Sequence, residues 1–126
     1  MDPYTAKPID EMTAINDGIT ILAGAELGVE AFGMQVFDFP PNFPDYPEHD
    51  HGDEGMEEVY LVLEGSVEFE VEGDRVALGP GGMISIAPAS RRKLRPGPHG
   101  LRILALGGVP GEPYERPQGL DLPSGP

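Results

Sequence analysis

Glycine and proline cut this chain into short apolar runs, and that punctuation constrains its fold more than any other feature. The 126 residues include 18 glycines and 15 prolines, most of them standing between hydrophobic stretches only a few residues long. No segment sustains a helical period, so long helices are excluded. Short strands joined by close turns remain, which means an antiparallel barrel or sandwich. Such a composition can also mark disorder, but the runs between the breaks alternate as strands do. The clearest is Val67-Glu68-Phe69-Glu70-Val71-Glu72, apolar on one face and acidic on the other.

The length suits a single domain with one core. Residues 1–18 read as a polar lead-in arm with room for one helical turn, 19–108 as the barrel, and 109–126 as a Pro/Gly-rich tail. That tail is either disordered or pinned along the barrel by Tyr114 and Leu120. Within the barrel, Gly33, Gln35, Phe37 and Phe39 share one face of a strand that the proline-rich stretch 40–47 ends. A turn is expected at Glu64-Gly65. A hairpin is expected from Arg92–Leu94 and Leu101–Leu106, with exposed His99 at its tip.

The 22 acids and 8 bases leave a net charge of −14. A surface this acidic repels nucleic acid and anionic lipid, so neither is expected as a partner. Without cysteine there are no disulfides and no thiolate chemistry. The start Met1-Asp2-Pro3-Tyr4 reads as no signal peptide, and no apolar run approaches a membrane span. Cytoplasm is the expected location by elimination.

Chemistry concentrates in one place. Of three histidines, His49 and His51 are two apart, which on an extended segment puts both imidazoles on one face roughly 6–7 Å apart at the backbone. Glu58 opens the next strand and adds a carboxylate. Two imidazoles and a carboxylate with open positions suit Fe(II), and also admit Mn, Ni, Zn or Cu. Against this stands the ordinary reading of histidines and acids as surface groups. By alternation Tyr60 shares a face with Glu58, Gln35 and Phe37 reach the opposite wall, and Met56 covers the mouth. Ordinary core packing competes for the aromatics.

The run His49-Asp50-His51, then Glu58, six residues, then Gly65 resembles the first motif of the cupin superfamily. Gly81 through Arg92 is similar to the second. The resemblance spans roughly residues 30–108. It implies an all-β fold, a double-stranded β-helix (jelly-roll-like) barrel of antiparallel strands with little helix. It also implies a divalent transition metal on His49, His51 and Glu58, and homodimers. Two departures stand out. The gap between His51 and Glu58 holds six residues, longer than the family's usual loop. Arg92 occupies the second motif's histidine position, and arginine cannot ligate a metal.

Arg92 leaves three readings open. It binds an anionic group of a small ligand beside the metal, it pairs with Glu58 and replaces the metal, or it points outward. Leu94 on the same face favours the inward position. Arg91, Lys93 and Arg95 fall on the other face, where they can offset Glu68, Glu70 and Glu72. The expected function is a metal-dependent small-molecule protein, of dioxygenase or isomerase type. The alternatives are a metal-free small-ligand binding or sensing barrel and a structural dimerisation domain.

Overall fold

The computed structural model describes residues 2–44 and 46–123. Met1, Asp45 of the proline-rich stretch and the last three positions of the expected tail lie outside the described residues. Among those described, seven strands form one sheet: β1 (Ala14–Ile15), β2 (Thr20–Ile21), β3 (Gly33–Phe39), β4 (Glu57–Val71), β5 (Asp74–Leu78), β6 (Met83–Ile86) and β7 (Arg92–Gly108). Every pairing is antiparallel, in the order β1-β2-β3-β7-β4-β5, with β6 on the first half of β4. Helix is limited to α1 (Ala23–Leu27) and two single 3-10 turns, Ile9–Glu11 and Gln118–Leu120. The antiparallel, nearly helix-free architecture matches the sequence expectation.

The sheet curls so that alternate residues of four strands meet. Phe39 from β3, Tyr60 and Phe69 from β4, Ile86 from β6, and Leu94 and Ile103 from β7 form one buried cluster. Phe69 and Ile103 are fully excluded from water, each contributing about 1.5–3 kcal/mol relative to exposure. The alternation read from 67–72 holds: Val67 and Phe69 are buried while Glu72 is exposed. On the outer side of β3, Val36 packs with Ile21 and Ala23 under Ile9 and Met12 of the arm.

Two sequence expectations require correction. β7 runs without reversal from Arg92 to Gly108, so 92–94 and 101–106 do not form a hairpin. Both halves pair with β4, Val71↔Arg92 through Val67↔Pro96, then Gly65↔Leu101 through Glu57↔Gly108. Likewise Glu64-Gly65 is no chain reversal but a bulge, with register shifts at Val62/Glu64 and Gly65/Val67. Glycine and proline signal a break in the ladder, which a bend in two paired strands satisfies as well as a turn. His99 is exposed, as expected, at the level of this bend.

Outside the cup, β4 and β7 present their charged faces to each other. Arg95 pairs with Glu70 at 2.6 Å, and the Arg91 amide donates to Glu72 at 2.7 Å. The hydrogen bond from Arg95 holds the Glu70 carboxyl below its ordinary value. The basic cluster thus offsets the acidic face of its neighbour.

The arm is held by Glu26, whose carboxylate accepts from Lys7 Nζ and the Thr13 amide, both at 2.7 Å. The Lys7 hydrogen bond, then the Thr13 amide, lowers its pKa from 4.5 to about 2. A depressed acid stabilises the fold while ionised, so this contribution is full above 4.5 and fades as pH falls toward about 2. Carboxyl carbon shifts should therefore titrate for Glu26 near pH 2, and Thr13 amide protection should fall over that window. In Glu26→Gln that dependence should vanish. A Glu26 midpoint at the ordinary carboxylate value would show that the arm is not held this way.

Candidate metal centre

The His49-Asp50-His51 segment behaves as a short added strand. His49 and Arg92 exchange backbone hydrogen bonds of 3.0 and 2.8 Å, and the His51 amide donates to the Pro88 carbonyl at 2.7 Å. An extended backbone puts residues two apart on one side, and the imidazole centroids lie 5.0 Å apart. Glu58, near the start of β4, is held between Ile86 of β6 and Gly107 of β7 and faces both rings. One donor atom from each of His49, His51 and Glu58 lies within 4.8 Å of the others. The structure brings together the three residues that the sequence singled out.

Both rings are oriented from behind. His49 Nδ1 is 3.2 Å from the Pro47 carbonyl, and His51 Nδ1 is 3.2 Å from Glu54 Oε1. With the proton on Nδ1 in each ring, both Nε2 lone pairs turn toward Glu58, the arrangement by which outer hydrogen bonds prepare imidazole ligands. His51 Nε2 lies 3.1 Å from Glu58 Oε1 and His49 Nε2 lies 4.0 Å from it. The closer contact is misaligned for a hydrogen bond, so His51 Nε2 is buried with no hydrogen-bond partner among the described residues. An orphaned imidazole nitrogen beside a carboxylate is costly in an apolar surround and suits a divalent transition metal. Two imidazoles and one carboxylate fit such an ion.

Glu58 Oε1 is also the acceptor for Arg92 Nη1 at 2.6 Å and the Tyr60 hydroxyl at 2.9 Å. Burial, then the neighbouring Tyr46 and Glu58, pushes the Tyr60 phenol far above its ordinary value. Burial, then the Glu58 charge, pushes Tyr46 up to about 12. Both phenols therefore remain protonated at neutral pH.

A cavity of about 260 Å³ opens beside the group. Gln35, Phe37 and Met56 line it, where the sequence placed them. Arg92 and Tyr60 are not among its lining residues; both donate to Glu58 Oε1. Arg92 does face inward, with no exposure, as its alternation with Leu94 requires. Its other donors go to the Ala87 and Ser90 carbonyls at 2.7 and 3.1 Å, leaving it occupied by the protein itself. The first motif's long loop, 52–57, folds as a tight turn with the Gly55 amide on the His51 carbonyl, which returns Glu54 to His51. Sequence reasoning missed Glu54, although its position three residues after His51 in a glycine-flanked turn was a usable signal. It also missed Tyr46 and Pro117, which line the cavity together with Tyr114 and Leu120, the two residues that the sequence offers as pins for the tail. Of the two fates open to the tail, its described part is the packed one.

Comparison with known proteins adds three findings. The family model described as "Cupin domain" matches residues 35–102. No curated protein matches the sequence. Among solved structures, a cupin protein from Bacteroides fragilis is 17% identical, with 99% of each chain covered and a TM-score of 0.65. A sugar phosphate isomerase from a cupin superfamily of Silicibacter pomeroyi is 16% identical over 82% of this chain and 74% of that one, with a TM-score of 0.68. The Cnp3 cupin domain of Schizosaccharomyces pombe is 14% identical over 63% and 56%, with a TM-score of 0.57. At these identities the likeness is one of fold.

Proposed function

This chain belongs to the cupin-domain family, and on that premise we propose that it holds a divalent transition metal on His49, His51 and Glu58 and acts on a small organic molecule in the adjoining cavity. The observation that carries the reading is the buried, unpartnered Nε2 of His51 beside Glu58. When bound, such an ion supplies open coordination positions for Lewis-acid chemistry or for O2. The chain's own groups supply the rest. Glu54 and the Pro47 carbonyl orient the imidazoles, and Arg92 and Tyr60 hold the Glu58 carboxylate. Tyr46 remains a phenolic donor at the cavity wall. The fold is shared by many chemistries, so dioxygenase and isomerase activities are both compatible with this site.

Protein purified without a histidine tag should contain a stoichiometric transition metal by elemental analysis. His49→Ala and His51→Ala should lose it, and Glu54→Gln should weaken metal affinity by about 10- to 100-fold. Metal-free protein that takes up none of Fe, Mn, Ni, Zn or Cu would remove this reading. One observation favours a second reading, a metal-free binding or sensing barrel. Arg92 already pairs with Glu58 at 2.6 Å, as a substitute for the ion would.

A further inference from the structure

We propose that this cavity selects a small, uncharged organic molecule with an apolar body, and that the C-terminal segment sets the preference through Tyr114, Pro117 and Leu120. The inference rests on reading the cavity as the ligand site. It concerns the cavity's own walls without an ion, since a bound divalent cation would itself attract an anion.

Recognition of a carboxylate or phosphate ordinarily uses a guanidinium or ammonium within hydrogen-bond reach. None of the chain's eight basic residues is in the cavity wall. Arg75, Arg91 and Arg95 pair with acids elsewhere, and Lys93 borders a separate groove with Asn42 and Arg95. Lys7 holds Glu26, and Arg102 holds Asp10 and Asp38. Arg92 is enclosed behind Glu58 with all contacts internal. Among the described residues, the acids that line the cavity are Glu54 and Glu58, and Glu58 is already paired with Arg92. An entering anion meets the Glu54 carboxylate, and the described walls offer it no guanidinium or ammonium.

Phe37, Met56, Ala105 and Leu106, together with Tyr114, Pro117 and Leu120 from the tail, give the same cavity an apolar lining. The tail is fastened there. Arg116 donates to the Val29 and Gly24 carbonyls and pairs with Asp121 at 3.3 Å. Tyr114 lies directly on Gly33, where a Cβ would stand 3.0 Å from its hydroxyl oxygen. A Cβ at position 33 would require the Tyr114 ring to give by a few tenths of an ångström. A space of about 260 Å³ holds on the order of ten non-hydrogen atoms at roughly 25–30 Å³ each. The ligand class that fits has one polar end toward the imidazoles and an apolar remainder toward the tail.

Benzamide and benzoate, alike in shape and differing in charge, test this directly. The untagged full chain is titrated with each by amide NMR after chelation, so that no ion attracts the carboxylate. Benzamide should saturably shift Gln35, Phe37, Tyr114 and Leu120, and benzoate should bind there about tenfold more weakly or less. Leu120→Arg, a change in the tail outside the core, should bring benzoate to equal or better affinity. Benzoate binding the parent protein as well as benzamide, or neither compound shifting those amides, would overturn the proposal. An unchanged preference in Leu120→Arg would remove the tail from it. Metal content of the same preparation is scored separately, so loss of the metal reading and loss of this one are told apart.

Discussion

Gly65→Ala is expected to destabilise the protein by about 4 kcal/mol, a large part of what holds a domain of this size folded. Gly65 sits at the bend of β4 with φ +78°, a conformation that costs other residues about 1–2 kcal/mol. Its surroundings add more. A Cβ there would stand 2.0 Å from the Gly100 carbonyl oxygen and 2.8 Å from its carbon. These are backbone atoms of β7, which itself bends at Gly100 with φ +85° against the Phe39 carbonyl of β3. Three strands close on one another at this corner, so no side chain can move aside. Gly73→Ala separates the two causes, because Gly73 has φ +85° and nothing within 4 Å of its Cβ position. It should lose only about 1 kcal/mol. Urea denaturation followed by circular dichroism measures both, and equal losses in the two variants would show that the corner is not closely packed. The same corner explains why the family motif asks for glycine at this position.

Arg92→Met should lower the stability of the metal-free protein by about 3–5 kcal/mol, since it leaves the largely buried Glu58 without its ion pair. The Ala87 and Ser90 carbonyls lose their donors in the same step. The opposite sign is expected for metal affinity. The guanidinium lies 2.6 Å from the oxygen of Glu58 that faces the imidazoles, so its positive charge opposes a cation at that position. Removing it should tighten metal binding by roughly tenfold, and added metal should restore part of the lost stability by linkage. Thermal melts of parent and variant, with and without the ion, check both signs together. A variant that is destabilised and stays indifferent to every transition metal would favour the metal-free barrel.

The site was partly legible from residue types. The spacing of His49 and His51 on an extended segment and the strand-opening position of Glu58 each rest on local geometry, and the three do converge. The inward position of Arg92 followed from its alternation with Leu94, and both are buried. The role of Arg92 did not follow. Whether its guanidinium meets a ligand or the protein depends on the Ala87 and Ser90 carbonyls, whose direction is set by the loop between β6 and β7. Glu54 was hidden for a similar reason, because its contact with His51 exists only once the 52–57 turn has closed.

The sequence by itself determined the strand-rich architecture, the alternation that buries Phe69 against Glu70, and which three residues converge as a group that could hold a metal. Periodicity and side-chain chemistry are properties of neighbours along the chain. Only the tertiary structure decided that Gly65 and Gly100 bend two continuous strands instead of ending four short ones, and that Tyr114, Pro117 and Leu120 come to line the same cavity as His51. A break in a ladder looks the same locally whether the chain reverses or bends. The choice falls to the partner strand and the core behind it, which lie far away in sequence.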